Sequence, residues 1–234
     1  MNKKIIVLLI LILLVGCGNN NQDISHGCDL SEECSESMES YEYMTFKEAY
    51  EALNGQSNSS GKAHRNVQIA EDNPFVKVSI DEIVTKIENS ETFYVYFGDE
   101  LCPWCRSVIE KAIEVSKAAS IDTIYYVKTW DEEGNEIFRD IYEITDGKPV
   151  EKQKGTEAYY KILKYASDHL DDYQIDEIPT GEKRIYIPLF LYIENGKVLR
   201  STEGISEYQE DSRQELSEEI LNDEERMFKE FFGQ

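Results

Sequence analysis

Apolar residues in the central part of the chain alternate between strand-like and helix-like spacing. Short runs rich in β-branched and aromatic residues predict strands at 75–78, 92–97 and 121–128. A capping-box pattern predicts a helix over 79–88, and apolar residues recur at helical spacing over 106–120. The strand at 92–97, the helix over 106–120 and the strand at 121–128 form a β-α-β unit, which we expect to cross over right-handed.

The segments on either side of this unit carry further elements. Thr45 caps a short helix that ends near Leu53. From Trp130 to Lys183 the simple alternation is interrupted, and this stretch predicts a hairpin around Asp146-Gly147 followed by a helix. The apolar stripe of that helix consists of Tyr159, Ile162, Leu163, Ala166 and Leu170.

The C-terminal part predicts a hairpin and a docked helix. Strand-like segments at Ile185–Ile193 and Lys197–Leu199 flank the turn Glu194-Asn195-Gly196. One side of the last helix is apolar, which indicates that the C-terminus packs against a core. The residues on that side are Leu216, Ile220, Met227, Phe228 and Phe231.

The N-terminus has the pattern of a bacterial lipoprotein signal peptide. Two lysines precede eleven apolar residues from Ile5 to Val15, a run too short to span a bilayer as a mature helix. Leu14-Val15-Gly16-Cys17 resembles the bacterial lipobox, so we expect cleavage after residue 16 and lipidation of Cys17. An ordinary secretory signal with a free Cys17 is the alternative. A lipid anchor implies the extracytoplasmic face of the bacterial cell membrane, where disulfides persist.

Residues 17–40 are predicted to be a flexible acidic linker, and 41–234 the folded domain. Cys28 and Cys34 lie in this linker, separated by five residues. A local structural disulfide between them is the favoured interpretation, and a redox relay to a second cysteine pair is the alternative.

Charge excludes one large class of partners. The chain has 47 acidic and 24 basic residues among 234, a formal net charge of −23 at pH 7. Binding to nucleic acid needs a basic face that neutralises phosphates, and this chain lacks the charge for it. We therefore expect no nucleic-acid partner.

Cys102-Pro103-Trp104-Cys105 carries the candidate chemistry. It follows a predicted strand and opens a predicted helix, with Pro103 at the first helical position, where a missing N–H costs nothing. Unpaired N–H groups and the helix dipole stabilise a thiolate on Cys102, which is the attacking species in disulfide exchange. Cys105 heads the buried helical stripe and is the predicted resolving thiol. Trp104 is interpreted as an exposed residue that contacts substrate or covers the thiols.

Two other interpretations of the motif remain open. The pair could be half of a structural zinc site completed by Cys28 and Cys34 or a histidine, or it could be a static disulfide. Because the histidines lack metal-ligand spacing, we predict no metal site. Asp99 and Glu100 should oppose ionisation of the first thiol, whereas Arg106 should favour it.

The order of elements resembles the thioredoxin superfamily. Strand, Cys-x-x-Cys helix, strand, further helix and a hairpin with Pro188 in its first strand occur in the expected sequence. The resemblance implies an α/β fold with a central mixed sheet flanked by helices, and an insertion at about 130–184 before the cis-proline strand. It also implies that Ile187 and Pro188 line the substrate groove. Thioredoxins carry a buried aspartate six residues before the first cysteine, and Tyr96 stands there in this chain.

More narrowly, the chain resembles lipid-anchored thioredoxin-like proteins of Gram-positive bacteria, some described as bacteriocin transport accessory proteins. The resemblance implies a membrane-anchored thiol–disulfide oxidoreductase acting on exported proteins or peptides, together with a membrane redox partner. It needs no cofactor beyond the redox-active disulfide Cys102–Cys105. The alternative is a non-catalytic thioredoxin-like module that binds peptides or assists export.

Overall fold

A mixed β-sheet lies at the centre of the computed structural model, which describes residues 44–131 and 133–234. In chain order the strands are β1 (Phe75–Lys77), β2 (Phe93–Gly98), β3 (Ile124–Lys128), β4 (Ile141–Thr145), β5 (Lys148–Gln153), β6 (Asp171–Ile175), β7 (Ile178–Arg184), β8 (Leu189–Glu194) and β9 (Lys197–Thr202). The helices are α1 (Phe46–Ala52), α2 (Ile80–Glu88), α3 (Pro103–Ala118), α4 (Glu157–Tyr165) and α5 (Glu218–Phe232). The predicted signal peptide, the linker, Cys17, Cys28 and Cys34 lie outside the described residues.

The central sheet has five strands in the order β1-β3-β2-β8-β9. Strands β1 and β2 both pair in parallel with β3, whereas β8 runs antiparallel to β2 and β9. In register, Tyr96 of β2 lies between Tyr126 of β3 and Phe190 of β8. Because β2 is the middle strand, the residues that follow its end lie at the centre of one sheet edge.

Alternating side chains of β2 contribute to two cores, one on each face of the sheet. Tyr96 belongs to the core that α1, α3 and α5 complete, and Val95 and Phe97 belong to the core that α2 and α4 complete. A capping box starts α2 at Ser79 and Thr45 caps α1, as the sequence predicts, and the cap at Thr45 is also a capping box. The expected central mixed sheet flanked by helices is therefore confirmed.

Residues between β3 and β8 form the insertion. The predicted hairpin is β4–β5, with Asp146 and Gly147 at φ 51° and 72° in its turn. A second hairpin, β6–β7, turns at Asp176 and Glu177, which take φ of 50° and 65°. The sequence does not predict it, because neither residue is glycine, so the turn lacks the Asn-Gly or Asp-Gly signal of a two-residue hairpin.

Several predicted boundaries are wrong. The strand predicted from residue 121 begins at Ile124, and the last helix begins at Glu218, so Leu216 precedes it. The helix of the insertion ends at Tyr165 and is followed by a 3-10 turn, so Leu170 lies beyond it although it is still buried. The strand predicted from Ile185 begins only at Leu189, immediately after Pro188. Proline has no N–H to donate to a sheet, which explains why the strand starts behind it.

Candidate active site

Cys102 caps the N-terminus of α3. Its Sγ accepts a hydrogen bond from the backbone N–H of Cys105 at 3.3 Å, and Pro103 is the first helical residue. The backbone N–H of Cys102 in turn donates to the Asp99 carbonyl at 3.2 Å. The expected strand–dithiol–helix arrangement is present, with the first sulfur directed at unpaired helical N–H groups.

The two thiols have different surroundings. Hydrogen bonding by the Cys105 thiol and by the backbone N–H groups of Cys105 and Trp104 lowers the pKa of Cys102, against the opposing effects of burial and the Asp99 charge. Burial raises the pKa of Cys105, which has no exposed surface. Both directions favour ionisation of Cys102 over ionisation of Cys105.

Cys102 and the loop before β8 meet at the same place. The Ile187–Pro188 peptide bond is cis, and the Cys102 thiol donates to the Ile187 carbonyl at 3.9 Å. Cys102 retains 3% of its surface exposed, on the wall of a pocket of about 210 Å³. The structure thus places Ile187, one of the two residues that the resemblance assigns to a substrate groove, against Cys102; Pro188 follows it but does not line this pocket.

Trp104 is half-buried, which corrects its interpretation as an exposed residue. Its ring packs against the core on the α3 side while it also lines the pocket beside Cys102. The opposite wall comes from the insertion through Phe138, Arg139 and Arg184. Sequence reasoning missed these three residues, because nothing local links them to the dithiol.

Tyr96 occupies the position under the dithiol where thioredoxins carry a carboxylate. Its hydroxyl lies 2.8 Å from the Tyr50 hydroxyl, and its hydrogen bond to Cys105 lowers the pKa of that thiol. Burial raises the pKa of both tyrosines well above the usual range, so both hydroxyls stay protonated. Tyr50 could not be identified from the sequence, because it belongs to α1, far from the motif.

Asp99 and Glu100 form a buried acidic pair before the dithiol. Burial, and then the charge of Glu100, raise the pKa of Asp99 to about 7. Lys128 forms ion pairs with Glu100 and, at 3.7 Å, with Asp99, and the Tyr126 hydroxyl donates to Glu100 at 3.1 Å. The predicted opposition of Asp99 to the thiolate is present, since its charge raises the pKa of Cys102.

Arg106 is fully buried and has a structural role that the sequence did not predict. It donates to the backbone carbonyls of Arg65 at 2.7 Å, Tyr50 at 2.8 Å and Glu100 at 3.2 Å. These bonds tie the segment around α1 to the start of α3. The guanidinium thus donates hydrogen bonds to backbone carbonyls, whereas the sequence suggested that its charge favours ionisation of the Cys102 thiol.

In residues 44–131 and 133–234, no group of three or more His, Cys, Asp or Glu side chains is placed to hold a metal ion. The two linker cysteines of the alternative zinc site lie outside this range. Within the same range, no helix is long and apolar enough to cross a membrane.

Comparisons with known proteins give weak likenesses. No family model and no curated protein sequence matches the chain. Oxidised thioredoxin O2 from Arabidopsis thaliana is 14% identical, covering 57% of this chain and 85% of its own, with a TM-score of 0.29. A thioredoxin-family thiol:disulfide interchange protein from Chlorobium tepidum TLS is 17% identical, covering 72% of this chain and 100% of its own, with a TM-score of 0.30. The assignment of a central mixed sheet flanked by helices rests on the strand order and the helix positions of this protein, and not on these two likenesses.

Proposed function

We propose that the protein is a thiol–disulfide oxidoreductase whose redox pair is Cys102 and Cys105. The observation that carries this proposal is the contrast between the two thiols: the pKa of Cys102 is lowered at a helix N-terminus, and the pKa of the adjacent Cys105 is raised by burial. A poised thiolate beside a protonated partner is what disulfide exchange requires.

In the reducing direction, the Cys102 thiolate attacks one sulfur of a substrate disulfide. A bond forms between Cys102 and that sulfur, while the other substrate sulfur leaves as a thiolate and takes up a proton. Cys105 then loses its proton and attacks the Cys102 sulfur, which releases the second substrate thiol. The thiolate–thiol pair has given up two electrons and the Cys105 proton and has become a disulfide. The second proton taken up by the substrate comes from water and replaces the one that Cys102 released on ionising. Oxidation of a substrate runs through the same steps in reverse.

Neighbouring groups have distinct roles in these steps. The Tyr96 hydroxyl stabilises the charge that develops on Cys105 by hydrogen bonding. Ile187 borders the reacting sulfur, and together with Pro188, which follows it, would provide the surface on which a substrate chain lies. Pro103 fixes the first turn of the helix, and Trp104 forms a wall of the pocket.

The proposal extends to the setting of this chemistry. Lipidation at Cys17 would hold the domain on the extracytoplasmic face of a bacterial membrane, with exported proteins or peptides as substrates. A membrane redox partner would restore the dithiol or disulfide after each turnover. This part of the proposal is supported by the lipobox-like sequence alone.

A non-catalytic peptide-binding module is the second candidate. The observation in its favour is the small exposed fraction of Cys102, 3% of its surface. In that case substitution of both cysteines would leave binding of the peptide partner intact.

The experiment that tests the proposal uses the full-length protein and oxidised glutathione. We expect Cys105→Ser to accumulate a glutathione mixed disulfide, located on Cys102 by peptide mapping, because the resolving thiol is absent. Cys102→Ser should accumulate none at Cys105, which is buried. Absence of a Cys102 adduct in Cys105→Ser would contradict the proposal and favour the binding module.

A further inference from the structure

Two arginines from the insertion line the pocket beside Cys102. Arg139 lies just before β4, and Arg184 is the last residue of β7. Both border the same space of about 210 Å³ as Cys102 and Ile187. Positive charge at this position is notable in a chain whose formal net charge is −23.

The guanidinium of Arg184 has aromatic neighbours in place of acidic ones. It stacks on the rings of Tyr173 and Tyr186, with centroids 4.6 and 4.5 Å away. Within residues 44–131 and 133–234, it forms no ion pair, and its buried Nε has no hydrogen-bond partner. Donors withdrawn from water without an acceptor are costly, and an anion that enters the pocket would satisfy them.

The nearby acids do not neutralise Arg184. Glu136 also borders the pocket, but it pairs with Arg139, its Oε1 lying 2.8 Å from the Arg139 Nε. Asp140 is fully buried and, among the described residues, forms no ion pair with Arg184. Among the described residues Arg184 therefore has no paired carboxylate, and it lines the same pocket as Cys102.

We propose that Arg184, next to Arg139, binds a carboxylate that lies close to the disulfide of the substrate. This inference rests on the proposed function and narrows its substrate class to disulfides flanked by an acidic group. The size of the pocket supports a single group, because sites for whole small molecules usually measure about 300–1,000 Å³. Such a carboxylate belongs either to a small diacid disulfide or to an acidic residue beside a substrate cysteine.

The test compares three disulfides that differ in charge. Reduced full-length protein is mixed with 3,3′-dithiodipropionate (two carboxylates), bis(2-hydroxyethyl) disulfide (neutral) or cystamine (two ammonium groups). The rate of exchange is followed by the fluorescence of Trp104 and Trp130, which both line the pocket. The ratio of the diacid rate to the neutral rate is compared between variants, so that the intrinsic reactivities of the reagents cancel.

We expect Arg184→Gln to lower this ratio about tenfold, the effect of losing one charge-assisted hydrogen bond. Arg184→Lys, which retains the charge, should lower it less. Arg200→Gln is the matched control, since Arg200 stacks on Tyr192 at 4.5 Å but belongs to β9 and does not line the pocket. The inference would be overturned if the ratio of the diacid rate to the neutral rate is unchanged in Arg184→Gln. It would also be overturned if the rate with cystamine falls by the same factor as the rate with the diacid.

Two peptide mixed disulfides, with Glu or Gln beside the cysteine, distinguish the sources of the carboxylate. A tenfold loss in Arg184→Gln for the Glu peptide alone would assign the pocket to an acidic side chain, and a loss for the diacid alone would assign it to a small molecule. Failure of the wild-type protein to exchange with any disulfide would contradict the proposed function. Exchange with all of them at charge-independent rates would contradict only the carboxylate pocket.

A measurement on the wild-type chain covers the case in which Arg184→Gln does not fold. Iodoacetate and iodoacetamide differ by one charge, and both alkylate Cys102 without any exchange step. We expect the iodoacetate-to-iodoacetamide rate ratio at Cys102 to be several-fold higher in the folded protein than in the urea-unfolded protein. A lower or equal ratio in the folded protein would overturn the inference.

Discussion

The Tyr96 hydroxyl lies 2.8 Å from the Tyr50 hydroxyl and hydrogen-bonds the buried Cys105 thiol. Two neutral hydroxyls thus occupy the region below the dithiol, and Tyr96 stabilises the Cys105 thiolate by hydrogen bonding without adding a negative charge. Asp99 and Glu100 lie in the loop between β2 and α3, and Lys128 of β3 forms ion pairs with both.

Tyr96→Phe should slow the second step of exchange. Loss of the hydrogen bond to Cys105 raises the pKa of that thiol further, so less thiolate is available to resolve the mixed disulfide. We expect a glutathione mixed disulfide on Cys102 to persist about tenfold longer, as for the loss of about 1.4 kcal/mol of hydrogen bonding. Its decay can be followed by acid quenching and mass spectrometry. Tyr50→Phe, which leaves the Tyr96 hydroxyl in place, is the control and should have a smaller effect. Equal lifetimes in Tyr96→Phe and the wild type would refute this role.

Asp99→Asn should lower the pKa of Cys102. The charge of Asp99 raises the pKa of that thiol, and Asp99 itself has a pKa of about 7, so its charge is fully present only above pH 7. The variant and the wild type should therefore differ most in alkaline solution. The pH dependence of Cys102 alkylation by iodoacetamide measures the shift. Asp122→Asn, at an exposed position in the turn before β3, is the matched control. A midpoint that stays in place or moves upward in Asp99→Asn would rule out this charge effect.

Glu224 should make the protein less stable as the pH rises. It is fully buried in α5, and burial raises the pKa of its carboxyl to about 8, far above the value in an unfolded chain. The folded state therefore binds the proton of this carboxyl more tightly than the unfolded chain does. The resulting contribution of Glu224 to the free energy of unfolding is complete below about pH 4 and is lost as the pH rises through 8.

We expect Glu224→Gln to abolish this part of the pH dependence. The free energy of unfolding of the variant, relative to that of the wild type, should therefore increase between pH 5 and pH 9. Urea unfolding at the two pH values gives the free energies of unfolding. Glu225→Gln removes a neighbouring carboxylate that pairs with Lys229 at 2.5 Å and is charged at both pH values, so its effect should be the same at each. A Glu224→Gln advantage that is equal at pH 5 and pH 9 would show that the carboxyl is ionised throughout.

Arg106→Gln should destabilise the fold by about 3 kcal/mol, since it leaves buried carbonyls without donors. The affected acceptors include the carbonyls of Arg65 and Tyr50. Urea unfolding monitored by circular dichroism measures the loss. Arg226→Gln, which breaks an exposed ion pair with Asp223, should cost less than about 1 kcal/mol. Similar costs for both substitutions would contradict the anchoring role of Arg106.

The parts of the fold that the sequence predicts are those encoded by neighbouring residues. The capping box at Ser79, the Asp146-Gly147 turn and the start of α3 at the dithiol are each specified by residues close together in the sequence. The β6–β7 hairpin was missed because its turn at Asp176 and Glu177 has no such pattern.

Most of the site beyond the dithiol depends on contacts between distant segments. Tyr50 reaches Tyr96 from 46 positions away in the sequence, and Arg184 reaches the dithiol through a hairpin that the sequence did not predict. The burial of Glu224 depends likewise on how α5 docks. Side chains assembled by tertiary packing leave no periodic signal in the sequence.

Redox titration of the full-length protein tests the central claim most directly. The protein is equilibrated over a series of ratios of reduced to oxidised glutathione, free thiols are trapped, and the state of Cys102 and Cys105 is read by peptide mapping. We predict that the two cysteines convert together and reversibly between two free thiols and one disulfide, with the same midpoint from either direction. If both cysteines remain free thiols even at the most oxidising ratio, the assignment of this pair as a redox centre is wrong.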